Sequence, residues 1–173
     1  MSNYFEDLET GKTIELGSHT FTREEIIDFA KKYDPQPFHL GDAAAEQSLF
    51  KRLSASGWHT AAVWLRLMVD ARNRQSDMIR FRGGRPARYG PSPGFEQLKW
   101  LKPVFAGDTI RFTARVVEKR DSRSRPDVGL IVYQNEGFNQ AGDLVFSLRS
   151  KIFVERREPL RIPERSGAPG RSR

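Results

Sequence analysis

Asp34 and His39 bracket a six-residue segment, Asp34-Pro35-Gln36-Pro37-Phe38-His39, in which a carboxylate and an imidazole are joined through two prolines. Each proline ring fixes one φ angle, so the two side chains hold a set mutual geometry at little entropic cost. Such a pair can orient one water, take a proton from it and return a proton elsewhere, which is general acid–base work. A second feature lies downstream, at Ser56-Gly57. The first N–H groups of a helix have no internal acceptor and carry the positive end of its dipole. Glycine in addition lets a ligand approach the backbone closely. The Gly57 N–H is therefore a candidate to polarise a carbonyl oxygen, with Ser56 and Trp58 beside it as candidate substrate contacts. An acid–base pair plus a carbonyl polariser is what hydration of an α,β-unsaturated thioester needs. Polarisation makes the β-carbon electrophilic and stabilises the developing enolate, and the pair delivers water to one carbon and a proton to the other. Taken alone, Asp34 reads more readily as the stop of a helix and His39 as a capping or core residue; together with Gly57 and the downstream strands they read as catalytic.

The elements that must hold these residues follow from periodicity and punctuation. Residues 12–21 favour a strand, through Thr13, Ile14, Leu16, Thr20 and Phe21. Thr22 followed three residues on by Glu25 reads as a capping box. Ile26, Ile27, Phe29, Ala30 and Tyr33 give a helical apolar stripe, which must stop near Tyr33 because Asp34 precedes a proline. A proline-held turn follows over 34–39, then a short Ala-rich helix over 41–47. A longer, largely buried helix begins at Ser56-Gly57 and runs through Trp58, Leu65, Met68 and Val69, with Arg66 and Asp70 at its edge. Residues 73–93 hold five Gly and Pro between Gly83 and Pro91 and read as a long loop or lid. Four strand candidates close the chain at 95–101, 109–120, 129–139 and 144–155, the last two as an antiparallel hairpin. One strand, then helices, then a run of strands implies an α+β fold in which an antiparallel sheet wraps one long helix. Domain boundaries are expected at 1–155 for the globular part and 156–173 for a basic, disordered tail.

Composition narrows the possibilities. The 173 residues suit one domain with a sizeable core, and twelve Phe and three Trp supply its bulk. With no cysteine, disulfides, thiolate metal sites and a Cys nucleophile are excluded. Only three histidines are present, so a metal site is not expected. The N-terminus has no basic start followed by an apolar run, and the most apolar stretch, 60–69, is interrupted by Arg66. A cytoplasmic protein with no membrane partner is the expectation. The net charge of +7 is concentrated in two places, Arg72–Arg88 and 156–173, while the remainder is slightly acidic. The arginines at 72, 74, 80, 82, 85 and 88 read either as phosphate contacts or as a solvated loop surface. Among the remaining candidates, His59 reads as locally packed, His19 as solvent-facing, and Trp58 and Trp64 alternatively as core or interface.

The segment Asp34–His39 resembles the motif of the MaoC-like acyl dehydratases and (R)-specific enoyl-CoA hydratases: Asp, any residue, Asn, Pro, an apolar residue, then His. Asp34, Pro37, Phe38 and His39 match; Gln36 stands where Asn is usual, and Tyr33 where a small residue is common. Leu53-Ser54-Ala55-Ser56-Gly57-Trp58-His59-Thr60 looks like that family's entry into its central helix, and Pro93–Val104 with Gly107-Asp108 is also similar, so that the resemblance spans roughly residues 10–155. It implies a hot-dog fold, a curved antiparallel sheet around one central helix, and a homodimer or dimer of dimers. It further implies a coenzyme A thioester substrate in fatty acid metabolism, no metal or redox cofactor, Asp34 and His39 as the catalytic pair and Gly57 as the carbonyl-polarising position. Two other readings compete. Hot-dog folds also serve acyl-CoA thioesterases, but those usually place an acid on the central helix, whereas here acid and base precede it. A non-enzymatic module binding acyl-CoA or nucleic acid through the basic patches is the third, although no nucleic-acid motif is present and no nucleic-acid partner is expected.

Overall fold

The computed structural model describes residues 2–161. After a 3₁₀ turn at Phe5–Asp7, the chain forms β1 (Thr13–Thr20), α1 (Arg23–Tyr33), α2 (Pro37–Leu40), α3 (Asp42–Glu46) and α4 (Gly57–Phe81). Four strands follow: β2 (Gly94–Trp100), β3 (Thr109–Asp121), β4 (Val128–Phe138) and β5 (Leu144–Glu155). All pair antiparallel in one five-stranded sheet of order β1-β3-β4-β5-β2. The sheet curves around α4, giving the hot-dog architecture of the α+β class.

Alternation along the strands sends Phe112, Ala114, Ile131, Tyr133, Phe146 and Leu148 to the buried face. Trp64 and Met68, one turn apart on α4, enter the same core, with the Trp64 ring 6.0 Å from Phe146 and Phe146 in turn 6.0 Å from Phe112. α1 closes the core's end through Ile26 and Ala30, both fully buried.

Three expectations need correction. α4 continues to Phe81, well beyond Val69. Residues 73–77 are polar and mostly solvent-facing, Ile79 packs inward, and no helix breaker interrupts them, so the helix stops only where Gly83 adopts φ 75°. Gly83 N–H then reaches the Arg80 carbonyl and Gly84 N–H the Ile79 carbonyl, both at 2.9 Å, closing the last turn. The remaining loop is pinned rather than lid-like: Glu155 accepts from Arg85 at 2.5 Å and from Arg88 at 3.3 Å, and Tyr89 bridges to Val154. The capping box at Thr22 is only half formed. Thr22 accepts from the Glu25 N–H at 3.3 Å, but the Glu25 carboxylate turns to His19 Nε2 at 2.6 Å, which leaves His19 half-buried against Phe21 instead of facing solvent.

At the expected start of the tail, Arg156 pairs with Glu6 at 3.1 Å and with Asp121, and Arg157 pairs with Asp7 at 2.7 Å. These arginines also stack over Phe5 and Tyr4, so residues 156–157 belong to the packed fold. The expectation of disorder over 162–173 lies outside the described residues.

The N-terminal turn is held by shape as well as charge. A Cβ on Gly129 of β4 would run into the Phe5 ring. We therefore expect Gly129→Ala to displace Phe5 and cost about 1–3 kcal/mol in chemical denaturation. An unchanged midpoint would mean that the ring steps aside without loss.

Candidate active site

The geometry starts at the end of α1. Asp34 takes φ −150°, leaving the helix while its N–H still bonds the Ala30 carbonyl at 2.9 Å. Pro35 prevents continuation, and Pro37 at the first position of α2 restarts one helical turn. That turn places His39 beneath Asp34: Nε2 lies 3.6 Å from Oδ2, with both side chains largely buried. His39 Nδ1 donates to the Ser54 carbonyl at 2.6 Å. Because the carbonyl only accepts, this bond fixes the tautomer and leaves Nε2 as the basic nitrogen facing the carboxylate.

Asp34 Oδ1 accepts from the Gln36 amide at 2.8 Å. Burial pushes the Asp34 carboxyl up, but the donors of Ser56 and Gln36 and the adjacent His39 outweigh it and hold the group below its ordinary value of 3.8. Asp34 is thus an ionised acceptor at neutral pH.

Ser56 caps α4, its hydroxyl accepting from the Trp58 N–H at 3.2 Å. The Ser56 carbonyl takes the N–H groups of His59 and Thr60. The Gly57 N–H has no protein acceptor among the described residues, as the first position of a helix dictates. Trp100 of β2 lies across this turn and donates its indole N–H to the Gly57 carbonyl at 2.8 Å. A Cβ at position 57 would collide with that ring, so glycine is required here by close packing, at a φ that any residue could adopt.

A cleft of about 450 Å³ joins these groups. Asp34, His39, Ser56, Gly57 and Trp58 all line it, and Phe38, Phe50, Trp100, Leu101 and Val104 give it apolar walls. Asp34, His39, Ser56, Gly57 and Trp58 therefore meet in one place. Trp58 is half exposed at the mouth, whereas Trp64 is core. Three contributors escaped the sequence: the Ser54 carbonyl, Gln36 as an Asp34 donor, and Trp100, which is 43 residues from its partner. A backbone carbonyl and a cross-strand indole leave no spacing signal.

The remaining nominees lie elsewhere. His59 is buried, stacked on Phe29 at 4.6 Å and 4.0 Å from Glu25, and burial pushes its imidazole down. Of the arginines, Arg74 donates to the Leu16 carbonyl and Arg80 to Asp77, while Arg85 and Arg88 hold Glu155. No group of three or more His, Asp or Glu able to hold a metal ion occurs among the described residues, and no helix there is long and apolar enough to cross a membrane.

A proline-stiffened Asp–His pair facing the free N-terminus of a helix wrapped by an antiparallel sheet defines a hot-dog protein of the hydratase and dehydratase type. Residues 7–134 match the MaoC like domain, and the chain belongs to that family. A MaoC-like dehydratase from Rhodospirillum rubrum superimposes with a TM-score of 0.76 at 35% identity, covering 90% of this chain and 99% of that one. The (R)-hydratase of A. caviae involved in PHA biosynthesis shares the fold with a TM-score of 0.59 at 23% identity, over 84% of this chain and 96% of that one. A mesaconyl-CoA hydratase of Cereibacter sphaeroides is 34% identical over 65 residues, which span 38% of this chain and 19% of that protein.

Two consequences follow. A carboxylate whose folded-state value is depressed contributes stability that is present above its unfolded value and lost as the pH falls through the folded one. The stability difference between wild type and Asp34→Asn should hold steady above about pH 5 and shrink below 3.8, as read by urea denaturation across that range. Gly57→Ala should cost about 1–3 kcal/mol. Most of that cost should vanish when Trp100→Ala is already present, a coupling that a double-mutant cycle measures.

Proposed function

We propose that the protein is an acyl-CoA hydro-lyase, adding water to, or removing it from, the 2,3-position of an acyl thioester. The observation that carries this is the 3.6 Å approach of Asp34 Oδ2 and His39 Nε2 inside the cleft that Gly57, first residue of α4, also lines. In the hydration direction, a water held between the two groups donates to His39 Nε2 and to the Asp34 carboxylate. Its oxygen forms the new bond to the β-carbon as the π electrons move toward the carbonyl. The Gly57 N–H takes the developing enolate oxygen. The proton removed from water returns through the pair to the α-carbon, so that one water is consumed per double bond. Every group in this scheme comes from the chain, and no metal or redox cofactor enters it. The relatives named above as hydratases and dehydratases support the reaction class.

In this reading Ser56 contacts substrate from the buried wall of the cleft and Trp58 from its mouth. A homodimer fits the unpaired edge of β2 and the exposed face of α4, where Trp58, Leu65 and Val69 recur at helical spacing and Phe95 stands on the strand.

The test is a panel of trans-2-enoyl-CoA thioesters, following loss of the conjugated enoyl absorbance and release of free thiol in the same reaction. We expect enoyl loss without thiol release. Asp34→Asn and His39→Ala should each lower kcat by about 10²-fold or more while keeping the wild-type circular dichroism spectrum. Thiol release without enoyl loss would make the protein a thioesterase instead, and full activity in both variants would remove the pair from the mechanism.

A further inference from the structure

Arg72 lies on α4 fifteen residues beyond Gly57, about 22 Å along the helix axis. It borders a second cavity, of about 550 Å³, which shares no lining residue with the catalytic cleft. The guanidinium sits over two aromatic rings, 4.9 Å from the Tyr89 centroid and 5.9 Å from that of Tyr133. Among the described residues it has no carboxylate partner and no hydrogen-bond acceptor, unlike Arg74, Arg80, Arg85 and Arg88 around it.

The tyrosines do not neutralise it. Burial pushes both phenols up, so they stay protonated near neutral pH and offer hydroxyl groups only. Arginine in turn does not give up its proton to escape burial. The acidic groups at the cavity are mostly committed: Asp7 to Arg157 and Glu15 to Arg111, leaving Glu9 with Lys12 at the rim. A desolvated cation without a counter-ion is costly, and its contact with ring faces offsets only part of that cost. The lining is mixed: Leu8, Ile14, Leu16, Met68, Ile79 and Val116 supply apolar wall, and Lys12, Arg74 and Gln75 are further polar members.

We propose that this cavity is a binding site for an amphiphilic carboxylate, its head group on the Arg72 guanidinium and its hydrocarbon body against the apolar walls. The fork of Arg72 matches a carboxylate bidentately, and the volume exceeds what one head group fills. Burial also pushes the guanidinium's own pKa down, which the neighbouring Tyr133 and Tyr89 partly offset.

The test is isothermal titration calorimetry of the full chain with sodium octanoate, with 1-octanol and inorganic phosphate as the other probes. We expect one octanoate per chain, at least tenfold weaker binding of octanol and of phosphate, and at least tenfold weaker octanoate binding by Arg72→Met. Arg72→Lys should keep part of the affinity, and Asp34→Asn all of it. Arg72→Met should melt at or above the wild-type temperature, because it removes an uncompensated cation, and octanoate should raise the melting temperature of the wild type and of Asp34→Asn but not that of Arg72→Met. Equal binding of octanol, tighter binding of phosphate, undiminished binding by Arg72→Met or no binding at all would overturn the proposal. So would loss of binding in Asp34→Asn, which would put the ligand in the catalytic cleft, or a melting temperature of Arg72→Met well below that of the wild type.

Discussion

The hydrogen bond from His39 Nδ1 to the Ser54 carbonyl orders the site, and it depends on where Ser54 itself is held. Leu53–Ala55 pairs with the stretch that follows β2: Ser54 bridges Phe105, the Ala55 N–H reaches the Val104 carbonyl at 2.7 Å, and the Ala106 N–H reaches the Leu53 carbonyl at 3.1 Å. This short ladder anchors three things together. It aims the Ser54 carbonyl at the imidazole, sets Ser56 to cap α4, and fixes the direction in which the first N–H groups of that helix point. Cutting the ladder would free the tautomer of His39 and the orientation of Gly57 at once, even though neither residue belongs to it.

The Asp34–His39 pair was legible because its constraint is local. Pro35 and Pro37 dictate the path between Asp34 and His39 whatever the rest of the chain does, and Gly57 follows a serine suited to an N-cap. The strand run after residue 94 was legible from alternation alone. What escaped were features that depend on distant partners. Glu25 satisfies the spacing of a capping box, yet a histidine arriving from β1 competes for its carboxylate. The second half of α4 looked like loop because its polar residues and nearby glycines resemble one; its amphipathic face becomes visible only when the sheet is present to bury Met68 and Ile79. Trp100 carries no signal toward Gly57, since only the pairing of β2 with β5 brings it across.

The electrostatic design divides along α4. Its positive N-terminal end faces Asp34, whose charge is retained against burial by donors and by His39. The packed layer of Trp64, Met68 and Phe146 follows, with no ionisable group among them. Beyond that layer the helix carries Arg72 into a second, separate cavity. The roughly 22 Å between the two ends keeps their mutual attraction weak, because Coulomb energy falls with distance.

That separation also explains how one short chain can hold an ionised carboxylate and an unpaired guanidinium without their collapsing into an ion pair. Attraction between opposite charges on a flexible chain would favour direct contact, and contact would neutralise both groups. Here each is attached to an element that cannot move toward the other: Asp34 to a proline-locked exit from α1, Arg72 to the interior of a helix whose neighbouring side chains are core. Rigidity of the frame, more than the strength of any one contact, keeps the two charges apart.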